Sequence, residues 1–172
     1  MKVIECPRDA MQGLSDFIPT RDKIEYINLL LEVGFDTIDF GSFVSPKAIP
    51  QMRDTAKVLQ GLDLTSTKSK LLAIIANVRG AQDACEFDEI QYLGYPLSLS
   101  ETFQQRNTKK SINDAFDDLA EMQELAEDHE KMLVVYLSMG FGNPYGDPYE
   151  MKYVVEFVKR LDKMEVQIIS LA

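Results

Sequence analysis

The most informative stretch of this chain is residues 3–12, which read VIECPRDAMQ. The apolar start predicts a short buried strand, Val3–Cys6, and polar side chains follow it at Arg8, Asp9 and Gln12. Arginine binds carboxylates bidentately and keeps its charge, and aspartate is a hard oxygen ligand suited to Mg²⁺ or Mn²⁺. Spacing alone leaves two interpretations open: a structural ion pair that closes a loop, or a site for a cation and an anionic ligand.

The same pattern, an apolar run followed by polar residues, repeats along the chain and predicts a parallel sheet. Near-continuous apolar runs are typical of strands that are covered on both faces. Repeated βα units place such strands parallel, with helices outside the sheet. The predicted strands are Val3–Cys6, Thr37–Phe40, Leu71–Ala76, Glu89–Leu93, Leu133–Ser138 and Val166–Leu171.

Amphipathic segments between these runs predict five helices. We expect Thr20 to cap the first helix and Gly34 to end it, and Ser111 to cap the fourth. Apolar residues at helical spacing mark the buried face of each segment. The helices are expected over Arg21–Val33, Pro46–Leu59, Arg79–Glu86, Ile112–Asp128 and Pro148–Lys163.

Two parallel folds obey this alternation, the doubly wound sheet and the (β/α)8 TIM barrel. No Gly-x-Gly-x-x-Gly follows the first strand, which disfavours a dinucleotide-binding sheet. Polar residues after several successive strands favour the barrel instead, because its site is assembled from many strand ends. A closed barrel needs eight strands, and six would leave two open edges. Residues 1–172 are therefore predicted to form the N-terminal part of a single TIM barrel domain.

The composition limits the classes of partner. The chain has 172 residues, 45% of them hydrophobic, and a net charge of −10. This charge argues against nucleic acid, whose binding needs a basic surface, and no apolar run is long enough to span a membrane. The two cysteines make no disulfide framework, and reduced thiols suit the cytoplasm. An anionic small molecule stays compatible with a local basic pocket, and a homodimer stays open.

Three motifs keep the order and spacing of a known family. They are PRDAMQ at residues 7–12, SFVSPKAIPQMRD at residues 42–54 and YLSMGFGNPY at residues 136–145. Together they resemble the 3-hydroxy-3-methylglutaryl-CoA lyases, and the resemblance extends over the whole chain. The SFVSPK run is its most specific part.

The resemblance implies a metal-dependent carbon–carbon lyase on an aldolase-type barrel. Such enzymes cleave 3-hydroxy-3-methylglutaryl-CoA, an acyl-CoA, to acetyl-CoA and acetoacetate. The resemblance makes Asp9 a ligand of Mg²⁺ or Mn²⁺, and Arg8 the group that stabilises the enolate. Gln12 would orient these groups. Asp39 stands where the family usually has Glu, and would either pair with Arg8 or take part in proton transfer.

The same resemblance implies further substrate contacts and a second half of the site. Asn77, Asn107 and Tyr136 match positions near the substrate, although a loop-capping role is equally open for each asparagine. The family's other metal ligands, a His-x-His and an asparagine, and its catalytic cysteine would lie beyond residue 172. The 172-residue chain alone is therefore expected to be inactive, because Mg²⁺ needs several ligands.

Two other functions stay open at this point. Related barrels with similar first strands condense acetyl-CoA with 2-oxo acids or carboxylate pyruvate, which the residue 42–47 loop disfavours. The chain could also be an inactive barrel fragment that binds a partner or associates through its open edges.

Overall fold

The computed structural model describes residues 1–172 and contains one sheet of six parallel strands. The strands lie side by side in chain order, and each one pairs with the next. Sequential parallel strands with intervening helices form three-quarters of the strand set of a TIM barrel, which confirms the predicted fold class. The strands are β1 Ile4–Glu5, β2 Thr37–Ser42, β3 Lys70–Ile74, β4 Ile90–Ser98, β5 Met132–Ser138 and β6 Ile168–Leu171.

Seven α-helices accompany the sheet, and a 3₁₀ turn at Pro50–Met52 precedes the third. None of the helices is long and apolar enough to cross a membrane. The helices are α1 Pro7–Gln12, α2 Thr20–Val33, α3 Thr55–Gln60, α4 Val78–Cys85, α5 Glu101–Thr108, α6 Ile112–Asp128 and α7 Met151–Lys163.

The core lies between the sheet and the helices, and a smaller apolar layer lines the inside of the barrel. Successive strand side chains point to opposite faces. In β3, Leu71 and Ala73 therefore belong to a cluster of 26 buried residues on the helix side. Leu72 and Ile74 belong to a separate cluster of four buried residues on the inner side. This inner layer forms the floor beneath the strand ends.

Two predicted helix boundaries are confirmed by their capping geometry. The helix over Ile112–Asp128 has the predicted bounds, because Ser111 and Asp114 form a reciprocal capping box at its start. Gly34 ends α2 in the left-handed conformation, with φ of 86°, which a residue without a Cβ adopts at little cost.

Other predicted elements were wrong in position or missing. The single helix expected over Pro46–Leu59 is a loop, the 3₁₀ turn and the shorter α3. Thr20 is the first residue of α2 rather than its cap, and its hydroxyl donates to Asp54 Oδ2 at 2.7 Å. Helices α1 and α5 were not predicted, because neither has an apolar stripe long enough to show helical periodicity.

Candidate active site

A cavity of about 480 Å³ opens where the strands end, on the side from which the βα loops leave the sheet. Its polar wall contains Arg8, Asp9 and Gln12 from α1 and Asn107 from α5, with Tyr136 from β5. Its apolar wall is built from the β2–α3 loop, the inner strand faces and α5, namely Val44, Ala48, Ile49, Ile74, Ala76, Pro96 and Phe103. The cavity therefore combines a largely apolar lining with a few polar groups, as small-molecule sites commonly do.

Arg8 is the centre of the polar wall. Its Nε lies 3.2 and 3.1 Å from the two Asp39 carboxylate oxygens, and its Nη2 lies 2.5 Å from Asp39 Oδ2. Its Nη1 donates to Asp9 Oδ1 at 2.9 Å and to Gln12 Oε1 at 3.0 Å. Three side chains thus hold the guanidinium in one orientation, and Arg8 forms an ion pair with Asp39, which is one of the two roles expected for Asp39.

Local structure brings these side chains together. Pro7 begins α1, where its fixed φ and missing N–H are tolerated. Arg8 and Gln12 are four residues apart on α1 and share one helix face, and Asp39 comes from β2, the strand that pairs with β1. The cluster therefore depends on one helical turn placed directly after a strand.

Burial makes the Arg8–Asp39 pair a rigid part of the wall. The Asp39 side chain is 1% exposed and that of Arg8 is 12% exposed. Burial raises the pKa of Asp39, and the hydrogen bonds and charge of Arg8 oppose that rise. Burial also acts to lower the pKa of Arg8, but hydrogen bonding and charge from Asp39 outweigh it and leave the pKa raised. The guanidinium therefore keeps its positive charge at the cavity wall.

Tyr136 reaches the same cavity from β5. Burial, reinforced by the negative charge of Asp39, raises the pKa of Tyr136 to about 12. The phenol therefore stays protonated at neutral pH and can donate a hydrogen bond. Gly94 on the neighbouring strand leaves room for this ring, since a Cβ there would lie 3.1 Å from Tyr136 Cε2.

Asp9 offers one carboxylate toward a divalent cation. Its side chain is 66% exposed and contacts Arg8 Nη1 and Gln12 Nε2. Its oxygen chemistry fits Mg²⁺ or Mn²⁺, which take about six oxygen ligands. No group of three His, Cys, Asp or Glu side chains comes together in residues 1–172. These residues therefore fit one ligand position and do not complete a metal site.

The two predicted asparagines lie in different places. Asn107 belongs to α5 and lines the cavity. Asn77 caps α4, where its Oδ1 accepts from Gly80 N at 2.9 Å, and it is not among the cavity-lining residues. The structure thus brings Arg8, Asp9, Gln12, Asn107 and Tyr136 to one cavity with Asp39 behind them, whereas Asn77 is engaged elsewhere.

A buried polar network supports the apolar wall, and the sequence did not reveal it. Lys23 is 2% exposed, and its Nζ donates to Asp54 Oδ1 at 2.7 Å and to the Gln51 carbonyl. The Gln51 side chain accepts from Ile18 N and donates to Asp16 O, both at 2.9 Å. These bonds join the loop before α2 to the loop that carries Ala48 and Ile49. Nothing in the helical pattern of α2 distinguishes Lys23 from an exposed lysine.

Comparison with solved structures gives the same architecture. The Bacillus subtilis HMG-CoA lyase matches with a TM-score of 0.92 and 32% identity, over 99% of this chain and 57% of that one. The HMG-CoA lyase from Acinetobacter baumannii, in complex with coenzyme A and 3-methylmalate, matches with a TM-score of 0.91 and 31% identity. That match covers 99% of this chain and 55% of the other.

Comparison of sequences points to the same group of proteins. The 3-hydroxy-3-isohexenylglutaryl-CoA/hydroxymethylglutaryl-CoA lyase of Pseudomonas aeruginosa is 32% identical over 165 residues, which is 96% of this chain and 54% of that protein. The hydroxymethylglutaryl-CoA lyase of Bacillus subtilis gives the same identity and coverage. The chain thus spans about half the length of these curated relatives. The HMGL-like family model matches residues 4–172, and the chain therefore belongs to the HMGL-like family.

Proposed function

We propose that this chain belongs to a metal-dependent lyase that cleaves 3-hydroxy-3-methylglutaryl-CoA to acetyl-CoA and acetoacetate. The observation that carries the proposal is the charged Arg8 guanidinium, held at the cavity by Asp39, Asp9 and Gln12. Family membership supports the reaction, since the relatives that match almost the whole chain are named as lyases of this substrate. The coenzyme A bound to the Acinetobacter baumannii enzyme supports an acyl-CoA as ligand.

In the proposed reaction, the bond between C2 and C3 of the acyl chain breaks. Its electron pair stays on C2 as the enolate of the thioester, while the C3 hydroxyl loses its proton and becomes the ketone of acetoacetate. C2 then takes up a proton and gives acetyl-CoA. Arg8 places a fixed positive charge beside the enolate oxygen, where negative charge develops in the transition state.

Asp39 and Gln12 serve this step by holding Arg8. Both Asp39 oxygens accept from Arg8, and the Asp39 side chain is 1% exposed, which favours positioning over proton transfer. Gln12 accepts from Nη1 and donates weakly to Asp9, so it joins the two groups. Asn107 and Tyr136, which line the same cavity, are proposed to bind the substrate.

Asp9 is proposed to be one ligand of a catalytic Mg²⁺ or Mn²⁺. When bound, such a cation supplies Lewis-acid stabilisation to the substrate's hydroxyl and carboxylate oxygens. The remaining ligands are proposed to follow residue 172, because no group of three His, Cys, Asp or Glu side chains that could hold a metal ion comes together in residues 1–172. A homodimer is a further proposal. A cytoplasmic location is also proposed, and the free thiols of Cys6 and Cys85 are consistent with it.

The test is thioester cleavage by the intact protein with Mn²⁺ or Mg²⁺ added. Replacing Arg8 with Gln should lower kcat roughly 10²-fold or more, because one preformed donor to the enolate oxygen is lost. Arg21→Gln is the matched control, since the Arg21 side chain is 88% exposed on α2, and its kcat should equal that of the wild type.

Two outcomes would contradict the proposal. A wild-type kcat in Arg8→Gln would show that Arg8 does not stabilise the enolate. Condensation of acetyl-CoA with a 2-oxo acid, without cleavage of the lyase substrate, would assign the protein to the related condensing barrels instead.

A further inference from the structure

The loop between β5 and α7 is folded onto the start of α5 through a single carboxylate. Asp147 Oδ2 accepts from Ser100 Oγ at 2.5 Å and from Thr102 N at 2.9 Å, and Asp147 Oδ1 accepts from Thr102 Oγ1 at 2.9 Å. Ser100 is also the cap of α5, because its Oγ accepts from Phe103 N at 3.1 Å. One side chain thus occupies three donors at the start of this helix.

The loop is built to present Asp147 in this position. Asn143 Oδ1 accepts from Tyr145 N at 3.0 Å and from Asp147 N at 3.1 Å, and Asn143 Nδ2 donates to Asp147 O at 2.9 Å. Gly146 lies between them with φ of 79°, a conformation that favours glycine. These bonds fix residues 143–147 as one closed turn, so the carboxylate has little freedom to leave α5.

A second contact joins the same loop to the cavity-facing side of α5. The Tyr145 ring packs against Phe103 at a centroid distance of 6.2 Å, and the Arg106 guanidinium lies 4.8 Å from the centre of the Tyr145 ring. Phe103 and Asn107 line the cavity. The orientation of this cavity wall therefore depends on the loop that carries Asp147.

We propose that Asp147 is a positioning residue, whose carboxylate holds α5 so that Phe103 and Asn107 face the bound acyl-CoA. The proposal rests on the proposed function, because it takes the cavity as the acyl-CoA site. Hydrogen bonds from Ser100 and Thr102 lower the pKa of Asp147, so the carboxylate is ionised at neutral pH and accepts from all three donors. A negative charge at a helix N-terminus also favours the helix.

The test compares Asp147→Asn with Asp83→Asn in the intact protein. Asparagine keeps the size of the side chain but replaces one acceptor oxygen with a donor group, so it cannot accept from all three donors at once. Asp83 is an exposed residue of α4 and provides the matched loss of one charge. The two measurements are amide hydrogen exchange at pH 7 and the kinetics of thioester cleavage.

In Asp147→Asn we expect amides of residues 101–108 and 139–149 to exchange at least about tenfold faster, with the rest of the chain unchanged. We expect KM to rise at least about fivefold while kcat stays within about twofold, because substrate binding is weakened and the reacting groups are not. Asp83→Asn should match the wild type in both measurements.

Unchanged amide exchange in Asp147→Asn would show that Asp147 does not hold α5. Faster exchange with an unchanged KM would show that holding α5 does not position the substrate-binding residues. Absence of cleavage in the wild type is a different result, because it contradicts the proposed function. The exchange measurement then still decides whether Asp147 holds α5.

Discussion

Gly94 determines how much space the inner face of the barrel leaves for the ring of Tyr136. A Cβ on Gly94 would lie 2.6 Å from Ile74 Cδ1, 3.1 Å from Leu72 Cδ2 and 3.1 Å from Tyr136 Cε2. Gly94 pairs with residues on both neighbouring strands, so the strand itself cannot move away from these contacts. The cavity-lining position of Tyr136 thus depends on a glycine that is not itself among the cavity-lining residues.

Replacing Gly94 with alanine should destabilise the protein by about 1–3 kcal/mol, because overpacking displaces Ile74 or Tyr136. Urea denaturation measures the change. Gly13→Ala is the control, since nothing lies within 4 Å of its Cβ position and its φ is −87°. The control should be neutral or stabilise by about 0.4–1 kcal/mol. Equal denaturation midpoints for the two variants would contradict the steric argument.

At the scale of elements, the Lys23–Asp54 pair holds α2 and α3 together. Lys23 is 2% exposed and Asp54 is 8% exposed, and their charges are neutralised by each other. Thr20 and the Gln51 carbonyl complete the hydrogen bonds of the pair. Because these bonds lie beside the loop that carries Ala48 and Ile49, we expect them to stabilise the apolar wall of the cavity.

Replacing Asp54 with alanine should lower the free energy of unfolding by about 3–5 kcal/mol, because it leaves a buried ammonium without its counter-charge. Thermal or urea unfolding checks this. Lys152→Ala is the control, because its pair with Glu150 is 56–57% exposed and such pairs contribute about 0–1 kcal/mol. A loss below about 1 kcal/mol in Asp54→Ala would show that water reaches Lys23.

The elements differ in how well the sequence predicts them. The bounds of α6 follow from local chemistry alone, because Ser111 and Asp114 form the capping box within four residues. Helix α5 contains a single large apolar residue, Phe103, and depends on contacts with distant residues such as Asp147. Hydrogen bonds across 45 or 47 residues of chain leave no periodic pattern, so the sequence could not predict this helix.

In the candidate site, too, the residues that belong to a local motif were predictable and those that depend on distant partners were not. Arg8, Asp9 and Gln12 were predictable because they stand within five residues of one another in a motif. The pairing of Arg8 with Asp39 was predictable as one of two alternatives, since sequential strands of a parallel sheet are neighbours. Lys23 and Asp147 were not predictable, because partners from separate loops determine what each side chain does.

At the scale of the whole molecule, the sheet has two edges, because β1 pairs only with β2 and β6 pairs only with β5. Apolar side chains are exposed near both edges. On the β1 side they are Val3, Ile4, Leu29 and Val33, and on the β6 side Met151, Val155 and Leu171, with exposed fractions between 45% and 65%. Exposed strand edges and apolar patches of this kind favour association with other chains.

The 172-residue chain expressed alone should therefore associate at micromolar concentration. Light scattering would give a mass well above the 19.5 kDa of one chain. Leu171→Lys should reduce this association, because a charge on an edge strand opposes strand pairing. Leu14→Lys, at a 54% exposed position outside the strands, is the control and should not change the mass. A monomer at all concentrations would contradict this prediction.

The strand order has a consequence for how the molecule is made. Every strand pairs with the strand synthesised just before it, as Thr37 pairs with Ile4 and Lys70 with Thr37. A nascent chain can therefore add each strand and helix to a layer that already exists, without waiting for a distant segment. Growth in this order makes each new strand the edge to which the next strand is added. Ribosome-bound chains should accordingly gain structure one βα unit at a time.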